Sequence, residues 1–415
     1  MLINFSFSNF CSFKNIKSLR MESAQIKDLS DSVIEKDGLR LLPVAVLYGA
    51  NSSGKTNVIK SFGVFRHILI NNVKLNSDES IKYEPFMLDN ISDKKPTLFE
   101  VQLLMDGALY RYGFEYTRKA IIGEWLYERR LSYGAKEHYL FRRERQNFSI
   151  SSTYFTEGKS KESSTTKNRL FLSLVAQLNG QISQKIIQDL KHYNVISGLD
   201  EYAYNHVTLK MLEKHLKGCD DAMNLFEKLD LGFTNIKVEE REVPDEIKEK
   251  LANLPFLNQE KVNSHKFLET FTTHHIYDSD GEIVGEKVFR ADDKESNGTN
   301  KVISLAGPIF NTLISGKVLF VDELDAKLHP MITRAIVHLF MDRQTNPKGA
   351  QLIFTTHDTH LLNTKYLRRD QIWFTEKDKT EASDLYSLLD FKVRNDRDIE
   401  NDYINGRYGA IPFIK

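Results

Sequence analysis

The sequence predicts an α/β protein with a mostly parallel core sheet, an antiparallel β subdomain and a mainly helical insertion. Three observations predict it. A continuous apolar run, Leu41–Tyr48, leads into a glycine-bounded loop and then a helical pattern, which suits a strand buried on both faces of a parallel sheet. Residues 97–150 alternate apolar and polar side chains, with turn signals at Asp106-Gly107 and Tyr133-Gly134, and read as an antiparallel meander. Residues 169–230 carry helical spacing with short breaks.

The elements follow in order. Leu2–Ser8 and Lys17–Met21 read as short strands joined by a turn near Phe13–Asn15. The buried strand ends at Gly49, and a helix runs from Lys55 to about Ile70. Residues 152–168, rich in Ser, Thr, Lys and Glu, read as an exposed loop. No heptad pattern is sustained long enough for a coiled-coil arm. Strand-like pieces return over 233–290 around a polar stretch. From Ser296 the pattern is helix, strand (Val318–Val321), helix (Met331–Asp342) and strand (Gln351–Thr355). The expected division is an N-terminal lobe over 1–150, an inserted mainly helical domain over 151–290 and a C-terminal lobe over 291–415.

Composition bounds the function. Lys+Arg and Asp+Glu are both 57 in 415 residues, so no global positive field draws the chain to DNA or to an anionic membrane. The two cysteines, Cys11 and Cys219, are too few for a disulfide framework and favour a reducing cytoplasm. The N-terminal segment alternates where a signal peptide would have a long apolar run, and no stretch approaches the ~18 apolar residues of a membrane span. A cytoplasmic protein with no membrane partner is expected.

Gly49-Ala-Asn51-Ser52-Ser53-Gly54-Lys55-Thr56 matches G-x-x-x-x-G-K-S/T at every fixed position, between a buried strand and a helix. The chemistry needs these residue types. Gly49 and Gly54 let successive backbone N–H groups, through Asn57, turn toward phosphate oxygens, and the helix N-terminus adds partial positive charge. Lys55 reaches the β- and γ-phosphates of ATP, and the Thr56 hydroxyl ligates Mg²⁺. A Gly/Ser turn that merely ends in Lys-Thr is the bland alternative, and the strand and helix on either side argue against it.

Far along the chain, Lys317–Glu323 is an apolar strand ending in adjacent carboxylates. At a strand tip beside the phosphate loop, Asp322 serves the Mg²⁺ shell and Glu323 acts as general base on the attacking water. Alone, the pair reads equally well as a solvated acidic turn. His357 follows the strand Gln351–Thr355, where it can touch the γ-phosphate and hold the water. His360 is the competing imidazole, and a two-His metal site there lacks further ligands.

The ordered set of phosphate loop, Glu295–Thr299, VDELDAKLHP (Val321–Pro330) and TTHD (Thr355–Asp358) resembles the ABC ATPases of the RecF/SMC type. The resemblance implies an ABC-type ATPase core. It also implies that Ser296 and Gly298, as the signature, contact the nucleotide held by a second subunit, so that the working unit is a homodimer or higher homo-oligomer. Asp325 and the Leu328-His329-Pro330 turn look like the family's D-loop region. NFSFSNFCSF, NRLFLSL (Asn168–Leu174) and the terminal GRYGAIPFI (Gly406–Ile414) narrow the resemblance to the bacterial ATPases of the RloA/AbiLi group, to which the AriA ATPases of PARIS systems look related. Membership implies phage defence with a separate nuclease or toxin effector subunit. The signature reads Ser-Asn-Gly-Thr where the family more usually has Ser-Gly-Gly, and Gln102 and Gln177 are the candidates for its Q-loop glutamine.

The basic stretches Arg142–Arg145 and Lys159–Lys167 read either as nucleic-acid contacts or, with acidic residues interleaved, as solvated surface. Tyr112, Phe114, Tyr116, Trp125 and Tyr127 lie at strand spacing and read as packing rather than as a base-stacking platform. The tail from Gly406 to Ile414 docks either on its own core or on a partner. Three functions follow: an ATP-driven sensor or scaffold controlling a separate effector, a RecF-like DNA-repair ATPase that grips DNA itself, and a transporter ATPase subunit. The long interval between phosphate loop and signature makes the last the weakest.

Overall fold

The computed structural model describes residues 1–242, 266–391, 393 and 397–412. In chain order the main elements are β1 (Leu2–Ser8), β2 (Lys17–Arg20), β3 (Ile34–Lys36), β4 (Leu39–Leu41), β5 (Val44–Gly49), α1 (Lys55–Asn71), β6 (Thr97–Met105), β7 (Ala108–Tyr116), β8 (Ile121–Arg130), β9 (His138–Glu144) and β10 (Asn147–Ile150). Next come α2 (Phe171–Gln177), α3 (Gln181–Lys191), β11 (Asn194–Ser197), α4 (Asn205–Glu213), α5 (Cys219–Lys228), β12 (Asn235–Glu242), β13 (Lys266–Tyr277) and β14 (Ile283–Arg290). The chain continues through α6 (Ala291–Lys294), α7 (Asn297–Ser315), β15 (Val318–Asp322), α8 (Pro330–Met341), β16 (Gln351–Thr355), β17 (Ile372–Lys377), β18 (Ser383–Ser387) and α9 (Ile399–Ile404).

Two compact units result. The first comprises Met1–Leu199, Ser315–Ala326 and Thr333–Lys415; the second comprises Asp200–Ile314 and Lys327–Ile332. Among the described residues the first unit holds two large sheets and the two-stranded β3-β4 ladder. Its core sheet runs β11-β15-β16-β5-β17-β18 and is parallel except for the β17–β18 edge pair. Its central strands are buried on both faces: Val44–Gly49 is buried throughout, as is Gln351–Thr355. The second sheet, β10-β9-β8-β7-β6-β1-β2, is antiparallel, as the alternation over 97–150 predicts. Helix α1 packs between them. Phe62 stacks on Phe320 of the core sheet at 4.1 Å and meets Phe5 of the other sheet at 5.1 Å, while Phe65 stacks on Phe114 at 5.8 Å. Rings at these distances add roughly 0.5–1.5 kcal/mol per pair beyond burial.

The α/β class and the antiparallel subdomain are as expected; the boundaries differ. The first unit extends to Leu199 because Phe171, Leu172, Val175, Ile186 and Leu190 of α2 and α3 belong to the same apolar core as Phe62 and Phe65. The insertion therefore begins near residue 200 rather than 151. The strand-like pieces read over 233–290 form the antiparallel sheet β12-β13-β14 beside its helices. The signature helix α7, assigned from sequence to the C-terminal lobe, belongs to this second unit up to Ile314. The apolar run Leu41–Tyr48 is divided: Leu39–Leu41 pairs with β3, and the core strand starts only at Val44, after Pro43. The loop over 152–168 is not wholly exposed, for Phe155 is buried and its ring lies 5.3 Å from Phe141.

Other open readings close as well. Tyr112, Phe114 and Tyr116 are buried packing. Arg143 is no surface cation: it lies buried against Glu124 at 3.4 Å and donates to the Arg169 carbonyl at 2.5 Å. The tail docks on its own unit. Tyr408 is 1% exposed, packs on Phe374 and Phe391, and its carbonyl accepts from the Tyr386 hydroxyl at 2.8 Å. Phe413 and Ile414 of that motif lie outside the described residues, as do 243–265 of the insertion.

Candidate functional site

The strands β15, β16, β5 and β17 are parallel, so their C-terminal tips reach one edge of the sheet. That edge is where open α/β sheets bind ligands. The phosphate-loop motif leaves β5 there. The Gly49 backbone packs so closely on β17 that a Cβ would lie 2.4 Å from the Thr375 carbonyl oxygen and 2.5 Å from the Ser53 Oγ. Gly54 has φ +116, and a Cβ would lie 2.6 Å from the Ser383 Oγ. Gly54 directly precedes α1, so the loop feeds the helix N-terminus.

Hydroxyl bonds brace the loop from behind. Ser53 Oγ lies 2.6 Å from Thr375 Oγ1 and is buried, while Ser383 Oγ donates to the Ser53 carbonyl at 2.7 Å and lies 2.7 Å from Ser12 Oγ, whose proton it can accept. Asn57 Nδ2 donates to Ser12 Oγ at 2.8 Å. The side chains of Ser53 and Asn57 thus serve the loop's own shape, and what they offer a ligand is their backbone N–H. Asn51, Ser52 and Thr56 are exposed. Lys55 is 6% exposed, and its Nζ donates to the Gly49 carbonyl at 2.8 Å and the Ala50 carbonyl at 3.1 Å. Burial lowers the Lys55 pKa; the carboxylates of Asp322, Glu323 and Asp325 oppose that shift.

The carboxylate strand and its neighbour interlock. Thr355 Oγ1 donates to Asp322 Oδ1 at 2.7 Å and accepts from the Glu323 backbone N–H at 2.7 Å. Glu323 itself has φ +52, a left-handed conformation that costs a non-glycine residue about 1–3 kcal/mol and concentrates at functional sites. The Leu324 N–H continues the link to the Thr355 carbonyl at 3.1 Å. His357 lies just beyond β16, partly open to solvent, and its N–H donates to Asp325 Oδ2 at 3.1 Å. Burial first, and then the Lys55 charge, hold the His357 pKa below its ordinary value.

These residues meet in one cavity of about 550 Å³, lined by Ser12, Asn51–Asn57, Glu323, His357 and Lys377. The donor set fits a nucleotide triphosphate with Mg²⁺: a cationic amine in a glycine cradle, a hydroxyl at the helix start, and the Glu323 carboxylate with the His357 imidazole; Asp322 does not itself line the cavity and is tied through Thr355 to the Glu323 backbone. Gln102 and Gln177 do not line it. Ser296 and Gly298 lie in the second unit. There Ser296 Oγ accepts from the Thr299 N–H at 3.0 Å and so caps α7, and a Cβ on Gly298 would lie 2.9 Å from the Lys327 carbonyl oxygen. Sequence reading missed Ser12, Thr355, Thr375, Lys377 and Ser383. Thr355 lay inside the TTHD motif that drew attention to His357, and Ser12 inside NFSFSNFCSF; Thr375, Lys377 and Ser383 stand in no motif and are joined to the loop only by folding.

No curated protein matches the chain. Among solved structures it is similar to the SMC head domain from Thermotoga maritima, with 12% identity, TM-score 0.42 and coverage of 93% of this chain and 98% of that one. It is similar also to the Smc head domain with a coiled coil and joint from Pyrococcus yayanosii, at 10% identity, TM-score 0.40 and coverage of 98% and 99%. A third is the recombination mediator protein RecF with ATPrS, at 12% identity, TM-score 0.35 and coverage of 93% and 98%. One family model matches residues 44–363, from the start of the phosphate-loop strand to beyond His357. That match spans well over half of the chain, and the protein therefore belongs to the family described as "AAA domain, putative AbiEii toxin, Type IV TA system".

Proposed function

We propose that this chain binds ATP with Mg²⁺, hydrolyses it, and uses the nucleotide cycle as a sensor or scaffold that controls a separate nuclease or toxin partner in bacterial phage defence. The observation that carries the reading is the convergence of Lys55, Glu323 and His357 on one cavity, with Asp322 locked beside Glu323. Lys55 and the loop N–H groups bind the phosphate chain and offset its charge. Thr56 and Asp322 would hold Mg²⁺, which supplies charge stabilisation at the phosphate oxygens. Glu323 accepts the proton of the attacking water, and His357 holds that water from the next strand tip. Ser296, at the start of α7, presents N–H groups suited to the nucleotide of a second copy, so the hydrolysing unit is a homodimer or larger.

The defence role and the separate effector rest on the resemblance to the RloA/AbiLi group and on the toxin wording of the family's description. The Asp322-Glu323 pair is committed to the nucleotide, which assigns effector chemistry to another subunit. A RecF-like ATPase that grips DNA itself is the competing reading, and the buried Arg143 weighs against it by removing a cation from the basic stretch. The test is Mg²⁺-dependent ATP turnover of the purified chain beside Lys55→Ala, with duplex DNA titrated at several salt concentrations. Turnover abolished by Lys55→Ala, with weak DNA binding, is the expected result. Turnover unchanged in that variant would overturn the site, and tight DNA binding with a steep salt slope would favour the repair reading.

A further inference from the structure

We infer that Thr355 is a positioning residue for hydrolysis: its hydroxyl sets the orientation of Asp322 and the backbone of Glu323 together. The inference rests on the ATPase reading above and extends it to a residue outside the motif's usual donors. Thr355 is the last residue of β16 and is fully buried, yet its hydroxyl makes two bonds to the neighbouring strand's tip. It donates its one proton to Asp322 Oδ1 and accepts from the Glu323 N–H, each at 2.7 Å. The first is charge-assisted and of ordinary length, and the second lies at the short end of the N–H···O range.

The division of labour follows from the chemistry of a hydroxyl. A carboxylate has two oxygens; with Oδ1 fixed by Thr355, Asp322 is held in one rotamer, so its other oxygen has a set direction. The amide bond acts on the next residue. Glu323 has φ +52, a conformation that L residues leave unless something holds them, and its N–H is tied to the same Oγ1. A single oxygen atom therefore couples the residue assigned to Mg²⁺ with the residue assigned to the water. Val at 355 would match Thr in shape but remove the Oγ1 acceptor from the Glu323 N–H and the Oγ1 donor from Asp322 Oδ1. Supporting groups of this kind typically change metal affinity or activity by about 10–100-fold when removed.

The experiment measures steady-state ATP turnover, the Mg²⁺ concentration for half-maximal rate, and binding of a fluorescent ATP analogue in wild type, Thr355→Val, Thr355→Ser and Thr355→Ala. Expected are a kcat lower by about 10–100-fold and a raised Mg²⁺ requirement for Val and Ala, with analogue binding retained, and near-wild-type behaviour for Ser. Should Val fail to fold, the Ser and Ala pair decides, because they differ by the hydroxyl alone. Val matching wild type in both kcat and Mg²⁺ requirement would overturn the inference while leaving the ATPase reading intact. Ser failing as badly as Ala would do the same, marking the site as packing only. A wild-type chain that neither binds nor hydrolyses ATP would sink both.

Discussion

The backbone N–H of His357 donates to the Asp325 carboxylate at 3.1 Å, joining the turn after β15 to the turn after β16. The same carboxylate partly offsets the burial that lowers the His357 pKa. In the nucleotide-free protein His357 is expected to titrate below 6.5, and Asp325→Asn to lower it further. Protonating His357 costs the folded chain. Its contribution to stability is present above 6.5 and is lost as pH falls from 6.5 toward the lower folded value. Imidazole proton shifts followed by NMR check this; a titration at or above 6.5 would contradict it.

The phosphate loop should tolerate no side chain at its two glycines. Gly49→Ala would drive a methyl to within 2.4 Å of the Thr375 carbonyl, and Gly54→Ala adds strain at φ +116 to a contact of 2.6 Å with Ser383. Both variants should lose nucleotide binding. Gly107→Ala, with φ +70 but open space around it, should cost only about 1–2 kcal/mol and keep activity. Equilibrium binding of an ATP analogue distinguishes the three; full binding by Gly49→Ala would show that the loop is not held as described.

The docked tail is expected to contribute to stability. Tyr408 is buried between Phe374 and Phe391, and its hydroxyl reaches Asp402 at 3.0 Å. Tyr408→Ala should cost about 3–5 kcal/mol in urea unfolding, while Tyr202→Ala, at a residue 91% exposed, should change stability by less than about 0.5 kcal/mol. Equal midpoints for the two variants would mean that the tail does not pack on its core in solution.

The sandwich arrangement predicts complementation between subunits. Lys55→Ala and Ser296→Arg chains should each be inactive alone. Their mixture should recover part of the wild-type rate, because one of its two composite sites carries an intact loop and an intact signature. A mixture that stays inactive, together with wild type that hydrolyses ATP as a monomer, would rule the arrangement out.

Much of the site was legible because its chemistry is local in sequence. A buried strand, a glycine loop and a helix announce themselves within a few residues, and so does a strand ending in Asp322-Glu323. The supports were not legible. Ser12, Thr375 and Ser383 meet the loop only after β17 and β18 add to the core sheet, and β18 pairs antiparallel there without any motif of its own. Strand β11 was hidden in a helical stretch because only four residues, Asn194–Ser197, make the parallel edge. The unit boundary was misplaced for a related reason. Helical periodicity marks α2 and α3 as amphipathic but does not say which apolar surface their Phe171 and Leu190 will cover.

Whether Glu323 is the base for hydrolysis of ATP bound on the Lys55 loop is decided by single-turnover hydrolysis by Glu323→Gln. The amide keeps the shape of the side chain but cannot accept the water's proton. This variant should bind ATP as wild type does, with a hydrolysis rate lower by about 10²–10⁴-fold. Hydrolysis by Glu323→Gln at the wild-type rate would contradict it.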